Sequence, residues 1–231
     1  PALTPFRREL ARVMAVFWKD MTIESRARAN FNAVAFFAAL ILLLFGFAFG
    51  PEQETLRNAA AGVIWLTVLF SGVMSFNRSY EQELENGALD VMLLYPGSRR
   101  SIFLGKLLAN LVFVFAVEAV LIPAAAILYD LKLWGIALQI VVIVTTGTLG
   151  FVTLGTFYGA MASRVRAREV LLPLLLFPML IPVLLAAVQA TRAALAGNGM
   201  GYMDDWIKLV VVFDVIFLVA SLAAFEQVIG E

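Results

Sequence analysis

The chain has 231 residues, of which 62% are hydrophobic and 15% charged, with a mean hydropathy of +0.91 and a formal net charge of zero. That charged fraction is well below the roughly 25% usual in soluble domains, which excludes a soluble globular enzyme. Cysteine and histidine are both absent, removing disulfides, thiolate metal sites, a cysteine nucleophile, the usual neutral-pH general base and histidine ligation of haem iron.

Six apolar runs, near residues 30–50, 58–77, 107–129, 133–163, 170–190 and 207–225, account for most of the chain. A run of about 18 or more apolar residues crosses a bilayer as a helix. Four of the six carry no charged residue, whereas a helix on a soluble core would show a polar face. The reading is an all-α polytopic membrane protein, a single transmembrane domain over residues 1–231. The longest polar insert, 78–106, is shorter than the roughly 50 residues of the smallest independent domains. Nucleotide hydrolysis would therefore belong to another chain, and no G-x-x-x-x-G-K-[ST] phosphate loop is present.

Residues 4–28 read as an N-terminal interfacial amphipathic helix. Thr4 is its expected N-cap and Pro5 its first residue. Phe6, Leu10, Val13, Phe17 and Met21 share one face, expected to lie in lipid, with Arg8, Arg12 and Lys19 elsewhere on the wheel. The segment lacks the charge pattern and cleavage site of a signal peptide. In the first span Gly46 and Gly50 form a small-xxx-small pair, read as a close-packing signal.

The 78–106 segment follows the second span. Asn86 is an expected cap of a short helix with Leu89, Met92 and Leu93 on its apolar face, ended by Pro96-Gly97. Ser98 is the expected cap of a second helix running through Arg99, Arg100 and Lys106 into the third span. An amphipathic helix between acidic and basic flanks suits a groove on a partner protein. It suits an ordinary interfacial loop as well.

Glu118 interrupts the third span and Asp214 the sixth. A mid-bilayer charge costs about 2.5–3.5 kcal/mol on insertion scales. Each carboxyl is read either as a functional group on a substrate path or latch, or as a buried hydrogen bond between helices. The fourth run is 31 residues long, about 46 Å as a helix, so it must tilt, bend or project. It carries Gly147, Gly150, Gly155 and Gly159. Pro173, Pro178 and Pro182 in the fifth span predict a kinked or locally unwound helix. Residues 189–206 read as a mobile extracytoplasmic loop.

Thirteen of the seventeen basic residues fall in the N-terminal segment, the 78–106 loop and the 164–168 loop. The positive-inside rule puts these segments, and the C-terminus, in the cytoplasm.

The run Glu85-Asn86-Gly87-Ala88-Leu89-Asp90-Val91-Met92-Leu93-Leu94-Tyr95-Pro96 resembles the E-x-G-x-L-x-x-L-L-x-x-P element of ABC-2-type permeases. That resemblance implies an ABC-2-type permease fold and a coupling helix contacting an ATPase subunit. It implies contacts at Glu85, Gly87, Leu89, Asp90, Leu93, Leu94 and Pro96, with Arg164, Arg166 and Arg168 read as a second cytoplasmic contact. Gly50-Pro51-Glu52, Ala61-Gly62-Val63-Ile64-Trp65, Gly147-Thr148-Leu149-Gly150-Phe151 and the stretch from Leu171 to Pro182 are similar to motifs of the CcmB family, the haem exporter permeases of the cytochrome c maturation system. Ala61 departs from the family's frequent proline. The resemblance implies a homodimeric permease bound to the ATPase subunit CcmA, which holds the ATP, and associated with the haem-handling subunit CcmC and the small subunit CcmD. It makes haem the cargo to consider, with no bound cofactor, no metal, no nucleic acid and no catalysis by this chain. It also implies an inner-membrane location. The same fold with a drug, lipid or polysaccharide as cargo is the alternative. An integral-membrane enzyme would need a nucleophile–base or paired-carboxylate set, and none is grouped in the sequence.

Overall fold

The computed structural model describes residues 5–26, 28–50, 52–85, 98–163, 168–197 and 200–228. Among these it is all-α: α1 (Pro5–Arg26), α2 (Arg28–Ala48), α3 (Gln53–Glu85), α4 (Arg100–Leu128), a 3-10 turn (Trp134–Ile136), α5 (Ala137–Ser163), α6 (Arg168–Leu195) and α7 (Met200–Val228). Six helices, α2 to α7, are long and apolar enough to cross a membrane.

The third helix is the hub. Its membrane-crossing stretch is 72% buried against 22% for α2 and α7, because α2, α4, α5 and α6 all pack on it. Helices α5, α6 and α7 form the tightest group, while α1 lies along α4. At 33 residues, α3 is about 50 Å long. It exceeds the roughly 30 Å hydrocarbon core, so it carries the chain as helix through residues 78–85, where the sequence pattern predicts a loop.

Aromatic knobs from α3 fill glycine gaps on α5. Trp65 lies against Gly147, Phe76 against Gly155 and Tyr80 against Gly159, and Phe151 of α5 returns the contact at Gly72. Without a hydrophobic driving force between helices in lipid, close contact of this kind holds the bundle. Trp65 also donates its Nε1–H to Thr191 Oγ1 of α6 (2.9 Å).

The small-residue pair of the first span divides. Gly46 faces the Tyr129 ring, whose hydroxyl donates to Leu42 O (2.7 Å). Gly50 meets no neighbour and has φ 74°, so it closes α2 as a left-handed cap. Asp130, φ 50°, does the same for α4: Leu131 N–H bonds Ala126 O (2.9 Å) in a Schellman arrangement. The Asp130 carboxylate pairs with Arg57 of α3.

Three further expectations change. The fifth span, read as kinked or locally unwound, is helical throughout and so is not unwound at its three internal prolines; neighbouring helices can hold such a segment at membrane depth. The expected 189–206 loop shrinks, because α6 runs to Leu195 and α7 begins at Met200. On α1, Val13 is buried against α4 rather than turned to lipid; the exposed apolar stripe is Phe6, Leu10, Met14 and Trp18. Thr4 lies outside the described residues.

Candidate functional site

Tyr80 of α3, Gly159 of α5 and Lys106 of α4 are brought together at the end of the bundle that carries α1. The chain therefore leaves α3 after Glu85, and leaves α5 after Ser163, at this same basic end. Glu85 is the last residue of α3 and Arg168 the first of α6. Gly87, Leu89, Asp90, Leu93, Leu94, Pro96, Arg164 and Arg166 lie outside the described residues, as do the expected cap Asn86 and the short helix it would begin.

Where the chain re-enters the bundle it is clamped from two sides. Ser98 Oγ accepts from Arg100 N–H (3.2 Å), two residues ahead at the start of α4. The Glu9 carboxylate of α1 accepts from Ser101 Oγ and from Ser98 N–H (3.4 Å), and lies 3.6 Å from Arg12 Nη1. These bonds, chiefly that from Ser101, hold the Glu9 carboxyl below its ordinary range. On the other side Arg99 Nη1 donates to Glu226 O of α7 (3.1 Å), and Arg100 Nε lies 3.3 Å from the Glu226 carboxylate. Residues 98–101 thus bridge α1 and α7.

Below this clamp Lys106 is fully buried. Its Nζ is 3.3 Å from Asp20 Oδ2 of α1 and stands over the Tyr80 ring, 4.6 Å from the centroid. Three helices share this cation. The packing that permits it is close: a Cβ at Gly105 would stand 2.6 Å from Val16 Cβ and 2.8 Å from Val13 O. Sequence reasoning assigns no role to Glu9, Asp20 or Glu226. The spacing Val13, Val16, Asp20 does mark one helical face of α1, and it is the signal by which Asp20 could have been found.

The intramembrane carboxylates occupy a second zone. Glu118 is buried, and its Oε1 accepts from Thr148 Oγ1 of α5 (2.6 Å), while Oε2 has no partner among the described residues. It borders a groove of about 400 Å³ between α4 and α5, otherwise lined mainly by apolar residues such as Phe115, Ile140 and Val144. Asp214 is buried against Gly150 of α5, and neither of its carboxyl oxygens has a partner among the described residues. Thr148 and Gly150 are two residues apart, a rotation of about 200° on a helix. The two carboxyls therefore reach different flanks of α5 at similar depth and do not form one paired site. Among the described residues no group of three or more Asp or Glu could hold a metal ion.

Six membrane-crossing helices, an amphipathic helix along their basic end, and a segment emerging there between the second and third spans define a polytopic permease subunit of ABC-2 type. The chain belongs to the CcmB family, whose model, described as CcmB protein, matches residues 11–229. It is 29% identical to "Heme exporter protein B" of Paracoccus denitrificans over 184 residues, covering 79% of this chain and 84% of that one. It is 27% identical to the protein of that name in Rhodobacter capsulatus over 187 residues, covering 79% and 84%. Against that of Haemophilus influenzae it is 27% identical over 184 residues, covering 78% and 81%.

Proposed function

We propose that this chain is the permease subunit of an ABC transporter complex acting in haem export, or in release of the haem chaperone, during cytochrome c maturation. The observation that carries the reading is the family match across 11–229, with relatives named as haem exporters over most of their length. The chain does no chemistry of its own in this reading. A CcmA-type ATPase binds ATP and presses on the 78–106 segment from the cytoplasm, at Glu85, Gly87, Leu89, Asp90, Leu93, Leu94 and Pro96. Arg164, Arg166 and Arg168 form the second contact.

The clamp at Ser98–Ser101 supports this reading physically. A segment displaced by a partner moves spans only if its ends are stiffly held, and here the exit is tied to α1 through Glu9 and to α7 through Glu226. Both termini face the cytoplasm, as the positive-inside bias requires. The working unit is a homodimer with two ATPase subunits, a haem-handling CcmC-type membrane subunit and a small CcmD-type subunit, in the inner membrane. Haem is treated as cargo of the complex, with Glu118 and Asp214 as the groups of this chain to test along its path.

The test is purification of the tagged chain from its native membrane in mild detergent, with mass spectrometry of what accompanies it. Recovery of an ATPase and a haem-handling membrane subunit is the expected result. An ATPase alone would favour an exporter of another cargo, and no ATPase would overturn the transport reading.

A further inference from the structure

A groove of about 390 Å³ opens where α1 ends, α2 begins and both meet α4. Its floor is apolar: Met21, Phe31, Val112, Phe113 and Ala116. The Phe31 and Phe113 rings meet edge to face with centroids 6.1 Å apart. Its rim is polar and divided by charge between the two helices. The α1 side carries Glu24 and Ser25, and the α2 side carries Arg28 and Asn32.

The rim chemistry is directional. Ser25 spends its hydroxyl proton on Thr22 O (3.0 Å), so its oxygen faces the groove as an acceptor. Glu24 accepts from Asn30 Nδ2 (3.0 and 3.2 Å) and makes a further contact besides, and the roughly four lone-pair sites of a carboxylate leave room for another donor. Arg28, with five N–H donors, has no hydrogen bond or ion pair among the described residues, and the Asn32 amide adds two more donors. The α1 side of the rim thus offers acceptors and the α2 side mainly donors, above an apolar floor where α2 begins.

We propose that this groove binds an aminophospholipid, a lipid with a phosphoethanolamine headgroup. Arg28 and Asn32 hold the phosphate, Glu24 and Ser25 accept from the primary ammonium, and the glycerol ester region and first methylenes lie on Phe31, Val112, Phe113 and Ala116. Guanidinium–phosphate contact is charge-assisted and bidentate-capable. A phosphatidylcholine headgroup has no N–H for Glu24 and Ser25, and an anionic headgroup meets Glu24 with like charge. The bound lipid would pin α1, whose position sets the Glu9 clamp and the Lys106–Asp20 contact. The inference is independent of the cargo and of which leaflet the basic end faces.

Native mass spectrometry of the purified chain, in the complex with which it co-purifies, tests this with phosphatidylethanolamine, phosphatidylcholine and phosphatidylglycerol of identical acyl chains. Phosphatidylethanolamine is expected to be retained about tenfold better than phosphatidylcholine, the worth of one charge-assisted hydrogen bond. Arg28→Gln should lower retention of both zwitterionic lipids, Arg28→Lys should restore part of it, and Glu24→Gln, which removes the charge but leaves the Ser25 acceptor, should reduce the preference between them. Glutamine at position 24 keeps an acceptor for Asn30, so folding is preserved as a control. Equal retention of phosphatidylethanolamine and phosphatidylcholine, or stronger retention of phosphatidylglycerol, would overturn the assignment. Displacement of the lipid by millimolar inorganic phosphate or free phosphoethanolamine would show a soluble-headgroup site and overturn the lipid assignment too.

Discussion

The ring of Phe76 on α3 fills the space that a side chain at position 155 on α5 would need. The same relationship recurs at Trp65 with Gly147 and at Tyr80 with Gly159, so α3 is keyed to α5 along much of its membrane-crossing length. Phe76 also lies against Phe151, with centroids 5.1 Å apart, leaving the ring no free direction. Gly155→Val is expected to cost about 1–3 kcal/mol, the range for overpacking a filled core. Pairing it with Phe76→Leu should recover part of that loss. Thermal unfolding in detergent reads both, and additive losses in the double variant would contradict the contact.

Lys106 and Asp20 should respond unequally to removal. Asp20 keeps Lys19 at 3.0 Å when Lys106 is lost, whereas loss of Asp20 takes the carboxylate from a fully buried ammonium. Lys106 keeps its other contacts, the Tyr80 ring among them, so the loss is that of one charge-assisted hydrogen bond, about 1.5–3 kcal/mol. Asp20→Ala should therefore destabilise more than Lys106→Met, whose side chain also fills the volume. Equal melting temperatures for the two variants would refute this ordering.

For Glu118 the hydrogen bond with Thr148 is separable from the carboxyl itself. Glu118→Gln retains the Oε1 acceptor that Thr148 uses and should change stability by less than about 1 kcal/mol, a bond kept rather than lost. Thr148→Val removes the donor and leaves a buried carboxyl without its bond, at a cost of about 1–3 kcal/mol. A transport defect in Glu118→Gln with unchanged melting would mark Glu118 as a group on the path. A defect confined to Thr148→Val would make the pair structural.

Glu9 gives the Ser98–Ser101 clamp a pH dependence whose sign follows from its lowered pKa. The folded form holds the proton less tightly than the unfolded chain, so the carboxylate's stabilising contribution is present in full above the ordinary value of 4.5. It is lost as the pH falls below that value and through the lowered one. Amide exchange of residues 98–101, compared with Glu9→Gln at each pH, should show protection near neutrality that fades in acid. Identical protection in the two proteins at neutral pH would eliminate Glu9 as the anchor.

The proposed coupling segment makes a separate claim. Replacing Leu89 and Leu93 by Asp should dissociate the ATPase or leave it hydrolysing ATP without the membrane subunit's influence, while the chain itself stays folded in the membrane. Co-purification and ATPase assays on the variant decide it, and normal assembly with normal coupling would rule the contact out.

Much of the architecture is legible because crossing a bilayer is a property of each segment alone. Twenty-odd consecutive apolar residues must form a helix that satisfies its own backbone, whatever surrounds it. The six spans and the amphipathic start can be read in that way, while Gly50–Glu52 and Gly147–Phe151 are legible only through their resemblance to the family's motifs. Helix ends are less legible. The charges from Arg78 to Glu85 look like a loop, yet α3 continues through them, since charged residues are good helix formers once the helix has left the lipid. Prolines in α6 suggest local unwinding, yet the helix runs through all three of them.

Residue order and composition are enough to give six membrane crossings, the basic end and the family motifs. Which face of each helix lies inside follows instead from how the helices dock. Val13 and Leu10 share the apolar side of α1, so periodicity does not separate Val13, packed on Gly105, from Leu10, exposed to the outside. Gly46 and Gly50 look equivalent in sequence, but one receives Tyr129 and the other caps a helix. The Lys106–Asp20 contact and the Glu9 and Glu226 clamps join residues 86 or more positions apart. Pairings of that kind depend on how helices dock, which shape and hydrogen-bond geometry settle and local composition does not.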